Sequence, residues 1–195
     1  MKWITREKIK VDRVACPWLI RKFIDPEAEF AFRPRETDWS KVDDGIVFDV
    51  PDCEFGHHGD DVSFNSLLKR YDLTDPALIL LGEIVRAADS HPSNPHPAGE
   101  GLRWIAGGFG ALGLSDHEIL EREFIVYDAL YAECRQRVAQ AAGCTVSTCL
   151  AGRARPRVPN YERHLRSHDQ LRHRRSTWRS SSPASLAKGF FGSEG

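Results

Sequence analysis

The sequence predicts a helix-rich α+β fold: one domain over residues 1–142 with a small β-sheet, followed by a disordered basic tail over residues 143–195. Short apolar segments between turn residues indicate strands near residues 3, 31 and 48. Longer segments with an apolar period near 3.6 indicate helices, and the composition changes after Gly143. A chain of 195 residues has the length of one domain with an appendage.

The three strands are expected at residues 1–6, 29–33 and 46–50. Trp3 and Thr5 share one side of the first segment, and Ile4 lies on the other. The second segment, EFAFR, ends before Pro34, and the third, IVFDV, follows Gly45. Proline and glycine at these boundaries are typical of the turns that end and begin strands.

Helices are expected at residues 17–24, 64–71, 76–88 and 116–142. Pro17 suits the first position of the first helix, and Ser63 is a candidate cap for the second. Ser115 and Glu118 form a capping box before the fourth helix, which has the clearest apolar period in the chain. Four glycines in residues 105–113 indicate a bend.

Charge is distributed unevenly along a chain whose formal net charge is −1. Residues 1–143 contain 17 Lys and Arg against 25 Asp and Glu, whereas residues 144–195 contain 10 against 3. The tail has nine Arg and eight Ser and no apolar period, so it cannot bury enough surface to offset the entropy of ordering. This bias also resembles out-of-frame translation.

The chain is expected to be cytoplasmic and to have no membrane span. It contains no apolar run of about 18 residues, and its N-terminus lacks the apolar core of a signal peptide. Five cysteines without paired spacing in the first 140 residues disfavour a disulfide framework and a zinc ribbon. The oligomeric state cannot be read from these features.

A first candidate ligand site comprises Arg13, Cys16, Trp18 and Arg21. A helix that begins at Pro17 would direct free amides and a positive dipole end toward Cys16, which favours a thiolate and a bound anion. Arg13 would add a planar fork of donors suited to a tetrahedral oxyanion. The alternative is structural, with Cys16 and Trp18 in the core.

A second candidate is a metal site formed by His57, Asp89 and His117. His57 lies in a glycine-containing loop, Asp89 follows the third expected helix, and His117 lies in the first turn of the fourth. Two imidazoles and one carboxylate suit a divalent transition metal such as iron, manganese or zinc. The alternative is that His57 faces solvent in a polar turn and that Asp89 and His117 are local helix-end residues.

Four segments carry a resemblance to a known family: KWITREKIKVDRVACPWLIRKFIDPEAEF, FDVPDCEFGHHGDDVSFNSLLKRYDLTDPAL, EIVRAAD and SDHEILEREFIVYDALYAECR. Together they resemble the C-terminal domain of the bacterial chromate resistance protein ChrB over roughly residues 1–137. The resemblance implies an accessory or regulatory protein that acts beside a chromate efflux pump. It also implies chromate as the ligand and a regulatory protein as a further partner.

Longer members of this family carry a separate N-terminal region associated with DNA binding, so direct DNA binding by this chain is not expected. Two other classes remain open from the residues alone. One is a metal-dependent redox or hydrolytic enzyme that uses His57, Asp89 and His117. The other is a nucleic-acid-binding protein that works through its basic tail.

Overall fold

A computed structural model describes residues 1–90 and 92–143, and the tail predicted over residues 143–195 therefore lies almost entirely outside the described residues. The described chain is a helix-rich α+β fold with a three-stranded parallel sheet. Its strands are β1 (Lys2–Arg6), β2 (Glu29–Arg33) and β3 (Ile46–Val47). The helices are α1 (Asp12–Leu19), α2 (Ser63–Arg70), α3 (Pro76–Asp89), α4 (Ala98–Ala111) and α5 (Asp116–Ala141).

The strand β1 occupies the centre of the sheet, with β2 on one side and β3 on the other. Trp3, Ile4 and Thr5 are therefore fully buried, as expected for a central strand covered on both faces. The chain leaves the carboxyl end of β1, forms α1, reaches β2 and later returns to β3 on the other side. Crevices at such a reversal of strand order, beside the carboxyl ends of parallel strands, are common ligand sites.

The first helix begins five residues earlier than the sequence predicts. It starts at Asp12, and Pro17 lies within it. Proline has a helical φ and lacks only one amide donor, and the helix is buried along almost its whole length, so packing outweighs the lost hydrogen bond. The first-turn amides of α1 therefore precede Cys16, and those of Arg13, Val14 and Ala15 donate to the carbonyls of Lys10 and Val11, so the predicted anion site at Pro17 does not form in that way.

Two other elements differ from the sequence prediction. Three of the four glycines in residues 105–113 belong to α4, and the fourth, Gly113, lies in the turn that follows it with a φ of 68°. A Cβ placed on Gly107 or Gly108 would meet nothing within 4 Å, so neither glycine is required by close packing. The expected strand at residues 46–50 is shortened to Ile46–Val47, followed by an isolated bridge between Phe48 and Phe55.

The helix α5 confirms the strongest sequence signal. Ser115 and Glu118 form the complete capping box, and the helix runs for 26 residues. Its buried residues, which include Tyr127 and Glu123, face the interior, and α5 packs on α1 and α3. Tyr127 donates a hydrogen bond of 2.9 Å from its hydroxyl to the carbonyl of Val11, so α5 supports the residue that immediately precedes α1.

Candidate functional site

Charged side chains of both signs meet at the carboxyl edge of the sheet. Asp12 and Arg13 begin α1 directly after β1, and Asp49 follows β3. His57 comes from the irregular segment between β3 and α2, and Asp89 is the last residue of α3. We call Asp12, Asp49, His57 and Asp89 the carboxylate–histidine group.

His57 lies at the centre of this group. Its Nε2 atom is 3.5 Å from Oδ2 of Asp12, 3.3 Å from Oδ1 of Asp49 and 3.4 Å from Oδ2 of Asp89. Asp12 is fully buried and Asp49 nearly so, whereas the His57 side chain is 44% exposed and forms the mouth of the site. One imidazole nitrogen thus faces three carboxylates that come from three separate parts of the chain.

Asp12 is held in place by the beginning of α2. Its carboxylate accepts hydrogen bonds from the backbone amides of Ser63, at 2.7 Å, and Phe64, at 3.0 Å. The thiol of Cys16 donates a third, at 3.4 Å. The sequence prediction that Ser63 caps its own helix is wrong: Asp12, about fifty residues earlier, satisfies these first amides, and Val62 precedes the helix.

Asp49 is oriented by two donors. The Ser63 hydroxyl donates to Oδ1 at 2.9 Å, and Nη1 of Arg13 donates to Oδ2 at 3.1 Å. Asp49 has a φ of 48° and Val11, next to Asp12, has a φ of 33°. Positive φ is costly for a β-branched residue such as Val11, and strained backbone of this kind is concentrated at functional sites.

The crowding of charge shifts several pKa values. The carboxylates of Asp12 and Asp49 raise the pKa of His57 to about 10, so the imidazole is protonated at neutral pH. Burial, followed by the charges of Asp12 and Asp49, raises the pKa of Asp89 to about 6. Burial also raises the pKa of Asp12. Strongly shifted groups of this kind are more frequent at functional sites than elsewhere.

Arg6, close to the Arg13–Asp49 ion pair, feels the charges of both Arg13 and Arg35. Arg6 ends β1, Arg13 begins α1, and Arg35 follows β2; we call these three the arginine group. The pKa of Arg6 is lowered, first by burial and then by the charge of Arg13, with Arg35 contributing as well. Among the described residues, the buried Nε atoms of Arg6 and Arg13 have no hydrogen-bond partner.

The other residues predicted for the anion site have structural partners. Cys16 is fully buried, and burial together with Asp12 raises its pKa well above the usual value, so it is a neutral thiol and not the thiolate expected from the sequence. Trp18 is buried and donates from Nε1 to Asp128 at 2.8 Å. The Arg21 guanidinium lies over the rings of Phe30 and Phe124.

The structure brings together two of the three residues that the sequence predicts as metal ligands. His57 and Asp89 do converge, but the third residue near them is Asp12. His117 instead packs edge-on against the ring of Phe32, with 5.0 Å between ring centroids, and is not in this group. Asp12 and Asp49 were missed as candidates, although both follow strands of the predicted sheet, which is the signal that could have identified them.

The fold and the site define an α+β domain in which acidic and basic side chains meet at the carboxyl edge of a parallel sheet. The family described as "ChrB, C-terminal domain" matches residues 3–134, and the chain belongs to this family. Protein ChrB of Cupriavidus metallidurans is 37% identical over 131 residues, which are 67% of this chain and 40% of that protein.

The chain therefore covers less than half the length of this relative. No solved structure matches the chain. Within the described part of the chain, no helix has both the length and the apolar character needed to cross a membrane.

Proposed function

We propose that this domain contributes to bacterial chromate resistance as a cytoplasmic accessory or regulatory module that binds chromate or a related tetrahedral oxyanion. In this proposal it acts beside a chromate efflux pump and passes its ligand state to a partner protein. Membership in the ChrB C-terminal domain family supports the resistance role. The arginine group supports the ligand class.

The observation that carries the proposal is the set of unpartnered donors on Arg6 and Arg13. Buried polar atoms are almost always paired in folded proteins, so buried unpaired guanidinium nitrogens call for a partner that can accept hydrogen bonds. An oxyanion supplies several acceptor oxygens and a negative charge. Guanidinium groups bind tetrahedral oxyanions through parallel, charge-assisted hydrogen bonds.

Arg13 has a double role in this arrangement. Its Nη1 atom is engaged with Asp49 and its Nη2 atom with the carbonyl of Lys8, at 3.4 Å, which fixes the orientation of the guanidinium plane. The Nε atom remains as a donor. A fixed donor loses little conformational freedom when it binds, so Arg13 is preorganised for an anion on its Nε edge.

The proposal concerns binding and assigns no reduction of chromium to the protein. A thiol reacts as its thiolate, and burial together with Asp12 keeps the pKa of Cys16 well above its usual value. Cys16 is also enclosed in the core, where it hydrogen-bonds to Asp12. It serves as a donor that helps to orient Asp12.

Replacing Arg6 with glutamine is expected to weaken chromate binding by the purified full chain about 10-fold or more. The substitution removes a charge-assisted hydrogen bond, which contributes on the order of 1.5–3 kcal/mol. Arg6 is preferred to Arg13 for this test, because removing Arg13 would take one of its two cationic partners from the buried Asp49. Isothermal titration calorimetry with chromate, and in parallel with sulfate as a non-oxidising analogue, measures the affinity.

Arg122→Gln is the matched control. Arg122 lies on the exposed surface of α5 and pairs only weakly with Glu118, at 3.6 Å, so its loss should leave the affinity unchanged. An equal loss of affinity in both variants would show that general surface charge binds the anion. A wild-type chain that shows no saturable binding of either anion would also contradict the proposal.

A further inference from the structure

We propose that Asp12, His57 and Asp89 form a metal site that binds one divalent transition-metal ion, separate from the arginine group and independent of the oxyanion function. The ligand atoms are one oxygen from each of the two carboxylates and Nε2 of the imidazole. All three lie within 4.8 Å of one another. Asp49 lies beside them and completes the acidic surroundings of the ion.

The spacing of these atoms is that of ligands around a common centre. Bonds of about 2.1 Å to nitrogen and oxygen in a tetrahedral site place neighbouring ligand atoms about 3.4 Å apart. The distances from Nε2 of His57 to the oxygens of Asp12 and Asp89 are 3.5 and 3.4 Å. Both exceed the usual hydrogen-bond range of about 2.7–3.2 Å. An ion between these atoms fits the separations better than direct hydrogen bonds do.

The position of Asp89 is an independent indication. It is the last residue of α3, where the partial negative charge of the helix end disfavours a carboxylate. It also faces two further carboxylates, Asp12 and Asp49, across His57. Helix dipole and like charges both oppose this placement, and the protonated imidazole of His57 offsets part of that cost. A bound divalent ion would take the place of the proton on Nε2 and supply a larger positive charge at the same point.

Hydrogen-bond donors already hold Asp12 and Asp49 in fixed orientations. Two backbone amides and a thiol orient Asp12, and a hydroxyl and a guanidinium orient Asp49. Such outer hydrogen bonds fix ligands in metal proteins and strengthen binding. Three protein ligands leave at least one coordination position open, and the partial exposure of His57 gives that position access to solvent.

The ligand set selects the class of metal. One imidazole with carboxylates suits Zn²⁺, Mn²⁺, Fe²⁺ or Co²⁺, whereas Ca²⁺ and Mg²⁺ prefer oxygen ligands alone. Cobalt(II) is a convenient probe, because its visible absorption reports the coordination geometry directly. The ion is expected to bind with a stoichiometry of one per chain.

The test is titration of the purified, chelator-treated full chain with Co²⁺, followed by absorption and by metal analysis after gel filtration. Wild-type protein should show visible bands that saturate at one equivalent. His57→Ala and Asp89→Asn should each weaken Co²⁺ binding by about 100-fold or more, since even outer-shell changes cost 10–100-fold. Asp89→Asn should not lower the melting temperature of the metal-free protein, because it removes an unfavourable charge.

His58→Ala is the matched control, because His58 is the adjacent residue and its exposed imidazole is hydrogen-bonded to the carbonyl of Glu54, away from the carboxylate–histidine group. Its Co²⁺ affinity should equal that of the wild type. Equal weakening in the His58 and His57 variants, or retention of full affinity in Asp89→Asn, would overturn the proposal. Arg6→Gln should keep Co²⁺ binding. The Co²⁺ titration therefore tests the metal site even if the oxyanion proposal fails.

Discussion

Replacing Asp12 with alanine is expected to lower the free energy of unfolding by about 3 kcal/mol or more. Asp12 accepts hydrogen bonds from the amides of Ser63 and Phe64, and all three residues are fully buried. Each buried donor that loses its partner costs about 1–3 kcal/mol. These amides belong to the first turn of α2. Loss of their acceptor on α1 therefore also weakens the packing of α2 on α1.

Urea denaturation monitored by circular dichroism measures this effect. Asp12→Asn keeps an acceptor oxygen at the same position and should lose clearly less stability than the alanine variant. Asp60→Ala, in the exposed loop before α2, should change the free energy of unfolding by less than about 0.5 kcal/mol. If Asp12→Ala were no more destabilising than Asp60→Ala, the interpretation of Asp12 as the anchor of α2 would be wrong.

Replacing Glu123 with glutamine is expected to stabilise the protein at alkaline pH and to have little effect at acidic pH. Glu123 is fully buried on α5, and neither of its carboxyl oxygens has a hydrogen-bond partner among the described residues. Burial raises its pKa to about 7 from the usual value of 4.5. The side chain is accommodated as the neutral acid and disfavoured as the carboxylate.

The pH dependence follows from this direction of shift. Between about pH 4.5 and pH 7 the folded protein holds a proton on Glu123 that the unfolded chain releases, so stability falls as the pH rises through this range. Above about pH 7 the folded protein bears the full free-energy cost of ionising Glu123, which is on the order of 3 kcal/mol for a pKa shift of this size. Glutamine cannot ionise and therefore removes the penalty.

The measurement compares the unfolding free energies of wild type and Glu123→Gln at about pH 5 and pH 8. The stability gained by the substitution should be larger at pH 8 by up to about 3 kcal/mol. Taking the difference between the two proteins cancels the contribution of the carboxylate–histidine group, which titrates equally in both. Glu121→Gln, at an exposed position of α5, should show no such gain. An equal effect at both pH values would contradict the argument.

Sequence reasoning succeeded where the determinants of structure are local. The capping box of Ser115 and Glu118 and the Asp75–Pro76 start of α3 are confirmed, because each satisfies the amides of its own helix. It failed where the determinant is distant. The first amides of α2 are bound by Asp12, about fifty residues earlier in the chain, and not by the neighbouring Ser63 side chain. Local sequence propensity cannot predict a contact between residues so far apart in the chain.

The candidate site shows the same division. Loop composition and helix-end position identified His57 and Asp89, and the structure brings them within 3.4 Å. The sequence did not reveal that β1 is central and parallel to both neighbours, and this topology is what brings Asp12 and Asp49 to the same edge. The arginine group was represented only by Arg13, since the electrostatic influence of Arg13 and Arg35 on Arg6 depends on the arrangement of the strands that precede them.

The central claim is that the arginine group is the site at which this domain binds an oxyanion. The most direct measurement is a crystal structure of the full chain with chromate, in which anomalous scattering locates chromium. The account predicts a chromium peak beside Arg6 and Arg13, with oxygens about 3 Å from their Nε atoms. Chromium bound elsewhere, or chromate-saturated crystals with no peak at these guanidiniums, would contradict it.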